Sequence, residues 1–285
     1  MLLVADSGST KTDWRLITEK KNILQFSTIG FNPYFVSTGA IAGELRSSLL
    51  PHLSVHLGGH EPAIYFYGAG CGTEDKKRIV SDALSQVFPG SRVEVEHDLL
   101  GAARALCGRQ EGIAAILGTG SNSCYYDGRE IKENIPSLGF ILGDEGSGAV
   151  IGKLFISAYL SGELPGHLAA GFYERFKIGR AEILDAVYKQ PFPNRYLASF
   201  TRYIFQKLDE PYCSNLVASC FRDFFDKHIC KYPKYKEVKM GCAGSVGYYF
   251  SNILRRVAEE KGVTLDKVIE TPIAGLTLYH LETEN

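Results

Sequence analysis

Asp6-Ser7-Gly8-Ser9-Thr10-Lys11-Thr12-Asp13 gathers two carboxylates, a glycine and a run of hydroxyl side chains in one short stretch. Gly8 lets the backbone pass close to a ligand, and N–H groups in such a turn form an anion-binding concavity to which Ser9, Thr10 and Thr12 add hydroxyl donors. Asp6 can hold Mg²⁺ through water, because that ion keeps several of its waters and takes few protein carboxylates. A polar hairpin has the same composition. The spacing is not that of a P-loop, so Lys11 is not read as a Walker lysine. Leu117-Gly118-Thr119-Gly120-Ser121-Asn122-Ser123 is a second stretch of this kind, distant in the chain. Two such loops can grip a phosphate chain from two sides. A third, Gly241-Cys242-Ala243-Gly244-Ser245-Val246-Gly247, opens a helix whose apolar face runs through Val246, Phe250, Ile253, Leu254 and Val257. Gly244 and Ser245 at that helix start leave room for a flat base or ribose, though tight helix–strand packing asks for the same glycines.

Two further positions carry candidate carboxylate chemistry. Asp98 follows a short strand, where ligands of open α/β sheets gather, and can accept the proton of an attacking hydroxyl; a helix cap is the alternative reading. His97 is read as its structural neighbour. Gly139-Phe140-Ile141-Leu142-Gly143-Asp144-Glu145-Gly146-Ser147-Gly148 sets Asp144 where it can accept charge-assisted bonds from two hydroxyls, or where Asp144 or Ser147 caps the next helix. Gly30-Phe31-Asn32-Pro33 fixes the Asn32 amide in a turn.

The elements that must position these groups follow from periodicity. Residues 2–5 read as a buried strand and residues 14–26 as further antiparallel strands of a meander. The intervals 37–53 and 74–88 have helical spacing, while 63–67 and 92–95 read as strands. A similar cycle then begins: a helix at 102–106, a strand at 112–117, and residues 124–126 as its hairpin partner near Asp127-Gly128. A mostly helical region covers 144–226. Residues 236–241 read as a strand, 245–260 as a helix, 268–269 as a last strand and 272–281 as a closing helix. Strands alternating with helices predict an α/β protein.

Composition bounds the function. Lys and Arg (31) nearly balance Asp and Glu (32), which argues against a dedicated nucleic-acid or anionic-membrane surface. The seven cysteines, Cys71, Cys107, Cys124, Cys213, Cys220, Cys230 and Cys242, include no C-x-x-C pair, and reduced thiols of a cytoplasmic protein are expected. The N-terminal residues lack the basic and long apolar regions of a signal peptide, and no apolar run approaches the ~20 residues that span a bilayer.

Taken in order, DSGSTKTDW, GFNP, HDLLGA, LGTGSN and GFILGDEGSG, with GCAGSV beyond them, resemble the N-acetylglucosamine kinase family. That family is grouped with the benzoyl-CoA reductase activator-type ATPases in the superfamily of sugar kinases, heat-shock ATPases and actin. The resemblance covers nearly the whole chain. It implies two ribonuclease H-like (actin-like ATPase) domains, 1–100 plus 272–285 and 101–271, with ATP and sugar in the interdomain cleft. It implies that residues 6–12 and 118–121 hold the phosphates of ATP with Mg²⁺, that Gly244 and Ser245 flank the adenosine, and that Asp98 is the base. Asn32, Ser121, Asn122, Gly139 and Asp144 then belong to the sugar site beside Asp98. The expected reaction is phosphorylation of N-acetylglucosamine at the 6-hydroxyl; the alternatives are an N-acetylmuramic acid or glucosamine kinase, an iron–sulfur activator ATPase, and a non-catalytic sugar-sensing protein. Many relatives carry another residue at Cys242. Residues 162–230 match no motif and are expected to shape the far side of the sugar site or a homodimer surface.

Overall fold

A computed structural model describes residues 1–8 and 10–283 of the chain. It divides into two compact units, Met1–Gly108 with the closing segment from Thr271, and Arg109–Glu270.

The first unit begins with β1 (Leu2–Ser7), β2 (Lys11–Ile17) and β3 (Ile23–Ile29), an antiparallel meander as its alternating residues predict. α1 (Thr38–Glu44), a π-helical turn (Leu45–Leu49) and α2 (Leu50–Leu57) replace the single helix expected there, with Pro51 within the first turn of α2. Pro has no N–H for the helical ladder, so it is accommodated at a new helix start. β4 (Ala63–Gly68), α3 (Glu74–Val87), β5 (Val93–His97) and α4 (Asp98–Cys107) follow. The sheet order is β3-β2-β1-β4-β5, with β4 and β5 parallel to β1. β1 is buried on both faces: Leu3 and Ala5 join Trp14, Leu16, Ile41, Leu45 and Phe66 in the core, while α4 and the final helix pack against the strand.

The second unit repeats the plan. β6 (Gly112–Leu117), β7 (Ser121–Tyr126) and β8 (Ile131–Glu133) form a meander. The hairpin partner of β6 therefore starts at Ser121, across residues 118–120, and Asp127-Gly128 instead leads into β8. A helical block follows: α5 (Gly139–Leu142), α6 (Gly148–Leu160), α7 (Gly166–Phe176), α8 (Arg180–Tyr188), α9 (Pro193–Ser199), α10 (Thr201–Gln206) and α11 (Pro211–Lys227). β9 (Met240–Ala243) comes later than the strand expected at 236–241, because residues 233–237 form turns. α12 (Ser245–Tyr249) and α13 (Ser251–Glu260) split the expected single helix at Phe250, and β10 (Leu265–Ile269) completes the order β10-β9-β6-β7-β8. With β9 and β10 parallel to β6, strand order and direction match those of the first sheet. Two such sheets, each with helices, are the ribonuclease H-like, actin-like ATPase fold.

α14 (Ile273–Thr283) belongs to the first unit. It packs on α4 so closely that a Cβ on Gly275 would lie 2.6 Å from the Ala105 carbonyl oxygen. Tyr67 Oη lies 2.9 Å from His280 Nε2 and accepts a bond from Arg104 Nη1. No helix among the described residues is long and apolar enough to cross a membrane.

Candidate active site

In the first unit the β1–β2 register sets Asp6 directly opposite Asp13. Like charges facing each other across a ladder repel. Lys11 meets this by pairing with Asp13 at 2.7 Å, which leaves Asp6 without a cation among the described residues. Burial, reinforced by the charges of Asp98 and Asp13, raises the Asp6 pKa to about 7. A divalent cation would relieve this repulsion. Among the described residues no cluster of three or more His, Cys, Asp or Glu is placed to hold a metal. A lone carboxylate such as Asp6 fits a Mg²⁺ that keeps most of its waters, since that ion takes few protein carboxylates.

The turn between β1 and β2 is closed by Gly8 N–H donating to the Lys11 carbonyl at 3.0 Å, so that amide is engaged within the hairpin. Thr12 is a correction to the sequence reading. It is fully buried, and its hydroxyl donates to the Ile29 carbonyl (2.9 Å) while accepting from Ser7 Oγ (2.7 Å). Ser7 Oγ in turn accepts the Phe31 N–H at 3.0 Å. The Thr12 hydroxyl thus has no proton to offer a phosphate; it ties the β1–β2 hairpin to the turn that carries Asn32. Thr10 and Lys11 are exposed, and Ser9 lies outside the described residues.

Asn32 Oδ1 accepts the Tyr34 N–H at 3.0 Å, an Asx turn that leaves the side-chain NH₂ for a ligand hydroxyl. Gly70, at φ +85°, approaches it so closely that a Cβ there would sit 2.5 Å from Asn32 Oδ1.

Asp98 is not the helix cap. His97 caps α4, its Nδ1 accepting the Leu100 N–H at 3.3 Å, and Asp98 is the first helical residue. Burial lowers the His97 pKa, which suits a neutral ring with Nδ1 unprotonated for the cap. The Leu99 N–H donates to Asp98 Oδ1 at 2.9 Å. Burial raises the Asp98 pKa against the opposing effects of His97 and that N–H. A half-buried carboxylate of raised basicity at a helix start can take a proton from a hydroxyl.

In the second unit the loop at Gly118 is bound to the start of α6. The Gly118 and Thr119 carbonyls accept from the Gly148 and Ala149 N–H groups at 2.8 and 3.1 Å, and Ser147 Oγ caps the Val150 N–H. The third loop lies against the second: a Cβ on Gly244, at φ +114°, would be 2.4 Å from the Leu117 carbonyl oxygen and 3.2 Å from the Gly118 nitrogen. Beside Ser245 opens a cavity of about 590 Å³, lined by Thr201, Arg202, Phe205, Gln206, Tyr249 and Phe250 among others. Its size and partly aromatic walls suit a nucleoside. Only Ser245 of these was marked in the sequence. The i, i+4 pair Thr201/Phe205 on α10 is spaced as on any amphipathic helix. Cys242 is buried under Gly247, so it cannot contact an adenine.

Ser121 is buried, and its Oγ has no hydrogen-bond partner among the described residues. Such a group normally finds a partner, which a ligand can supply. Asn122 Oδ1 accepts from Ser123 N–H (2.9 Å) and Asn134 Nδ2 (3.0 Å), again leaving an NH₂ to donate. Asp144 is buried; Ser137 Oγ donates to its Oδ1 at 2.7 Å, and a Cβ on Gly120 would lie 3.0 Å from its Oδ2. Gly120, Ser121, Asn122 and Asp144 thus belong to one neighbourhood. Gly139, at φ +72°, starts α5 and is exposed.

Five of the seven cysteines are buried, and burial raises Cys71, Cys220 and Cys242 to about 12. Thiols so far from ionisation are poor cluster ligands.

No protein-family model and no curated protein sequence matches the chain. Among solved structures, a candidate N-acetylglucosamine kinase from Porphyromonas gingivalis is 44% identical over the full length of both chains, with a TM-score of 0.94. A second candidate of that name, from Chromobacterium violaceum, is 19% identical over 98% of each chain, with a TM-score of 0.72. A ROK family glucokinase from Streptomyces griseus, solved with glucose and AMPPNP, is 16% identical over 100% of this chain and 99% of its own, with a TM-score of 0.55. The last two share the fold. With the first relative matching from end to end, the chain belongs to the family of that N-acetylglucosamine kinase candidate.

Proposed function

We propose that the protein phosphorylates N-acetylglucosamine at the 6-hydroxyl with ATP as donor. Asp98 accepts the hydroxyl proton as the sugar oxygen forms its bond to the γ-phosphorus, and ADP departs with the electrons of the broken P–O bond. The observation that carries this reading is the placement of Asp98 at the start of α4, half-buried and raised in pKa. Asp6, through water, would hold Mg²⁺, which supplies neutralising charge to the phosphates. The Gly118 loop contacts phosphate, and the cavity beside Ser245 takes the adenosine. Asn32 and Asn122 present NH₂ donors to sugar oxygens, and Asp144 accepts from sugar hydroxyls. Reduced cysteines suit a cytoplasmic site for the reaction.

The test is ADP release with Mg·ATP and each of N-acetylglucosamine, glucosamine, N-acetylmuramic acid, N-acetylmannosamine and glucose. N-acetylglucosamine should give the highest kcat/KM. Asp98→Asn should abolish turnover while sugar binding, followed by calorimetry, persists. Absence of sugar-stimulated release from every member of the panel sinks the proposal, and near wild-type turnover in Asp98→Asn removes Asp98 as the base.

A further inference from the structure

Asp144 holds a backbone conformation that its residue type does not favour. Its φ is +56°, in the left-handed region, and Gly146 two residues on is at +75°. A turn with two such residues keeps one shape only if its surroundings impose it. Within the turn, the Ser147 N–H donates to the Asp144 carbonyl at 3.0 Å, and Ser137 holds the side chain. Gly120 and Leu117 lie against the turn as well, and the charged contacts to it come from the C-terminal end of α11.

Phe224, Lys227 and His228 are spaced i, i+3 and i+4, so they share one helix face. Phe224 lies beneath the turn: a Cβ on Gly146 would meet the Phe224 Cβ at 2.9 Å, so only glycine lets the chain pass there. Lys227 Nζ donates to Glu145 Oε1 at 2.7 Å, and His228 Nε2 lies 3.1 Å from Glu145 Oε2. Burial disfavours the Glu145 carboxylate, but the bonds from Lys227 and His228 outweigh it and hold its pKa at about 2. An ionised carboxylate only accepts, so His228 Nε2 carries the proton. The imidazole stacks on Phe224 with ring centroids 5.4 Å apart, and only 6% of its side chain is exposed.

We infer that Lys227 and His228 are positioning residues for the sugar-side carboxylate: by clamping Glu145 from the end of α11 they fix the turn that aims Asp144. Neither touches the reacting groups in this scheme. The inference rests on the reading of Asp144 as a sugar ligand, and it gives Glu145 a role that is not sugar contact. It also assigns a task to the end of a long helix in a region without recognisable motifs.

The experiment compares the full-length wild type with Lys227→Met, His228→Ala and His228→Gln. Loss of a hydrogen bond to a charged group should raise the KM for N-acetylglucosamine roughly tenfold in Lys227→Met and His228→Ala, with the KM for ATP unchanged. His228→Gln, whose amide can still donate to Glu145, should recover most of the loss. Amide hydrogen exchange of residues 137–147 should quicken in the first two variants and return toward wild type in the third. A sugar KM that does not move, or sugar and ATP KM values that rise together, overturns the inference. Lys227 is half exposed, so its variant keeps the core intact should His228→Ala fail to fold. If the wild type phosphorylates no sugar, the kinase proposal fails separately. Exchange of residues 137–147 then decides on the clamp, and unchanged rates in Lys227→Met and His228→Ala refute it.

Discussion

Gly244→Ala is the most exacting test of how the second unit builds its ligand face. Gly244 sits at φ +114° and ψ 150°, a region open essentially to glycine, and an alanine there costs about 1–3 kcal/mol in backbone strain. The added Cβ would also stand 2.4 Å from the Leu117 oxygen and 2.7 Å from the Leu117 carbon, both backbone atoms. No rotamer change relieves that contact; strand β6 or the third loop must move, at a further ~1–3 kcal/mol typical of overpacking. The sum, about 4 kcal/mol, is a large share of the ~5–15 kcal/mol that holds a domain folded. Gly118→Ala is the matched control, since a Cβ there meets nothing within 4 Å. Urea unfolding followed by far-ultraviolet circular dichroism should show a much lower midpoint for Gly244→Ala and little change for Gly118→Ala. Where the variant stays folded at low temperature, its KM for ATP should rise, because the displaced atoms belong to the loop proposed to contact phosphate. A wild-type midpoint together with a wild-type KM for ATP would falsify the packing of the third loop on the second.

Asp6 makes the metal-free protein sensitive to pH. Its folded pKa of about 7 exceeds the ordinary 3.8, so the folded state binds the extra proton more tightly. That contribution is fully present below pH ~4 and is lost as pH rises through ~7, a change of about 4 kcal/mol. In EDTA, Asp6→Asn should flatten this slope and be the more stable protein at pH 8; a slope unchanged by the substitution would show that Asp6 is not its source. Gly70→Ala should act on the sugar and not on the nucleotide. Its Cβ would press on Asn32 Oδ1 at a position already at φ +85°, and displacing the amide should raise the sugar KM about tenfold. Equal effects on the sugar and ATP constants would count against Asn32 as a sugar ligand.

Much of this framework is legible in the sequence because its signals are local. The alternation of residues 14–26, the helical spacing of 74–88 and the glycine turns after β1, β6 and β9 each report their own element. Where the reading went astray, distant contacts decide the outcome. Thr12 has the composition of a phosphate ligand, and only its pairing with Ser7 and Ile29 shows that its hydroxyl is spent inside the fold. The sequence leaves Asp98 open between base and cap of α4, and the cap falls to His97, a role for which histidine gives no propensity signal. β8 has only three residues, too few to establish a period. The cavity beside Ser245 draws on α10 as well as α12, far apart in sequence, so the GCAGSV motif announces only one of its walls.

The chain's path through its two units bears on how it is made. α14 seals one side of the first unit, yet it is translated after every residue of the second. Chains emerge from the ribosome at ~5–20 residues per second, and domains fold as they become complete. The second unit, continuous in sequence, can close as soon as β10 has emerged. The first must wait with the α14-facing sides of β1 and α4 uncovered until Gly275 meets Ala105 and His280 reaches Tyr67. The nascent polypeptide therefore matures out of order, its earlier unit finished by a helix that emerges after the later one.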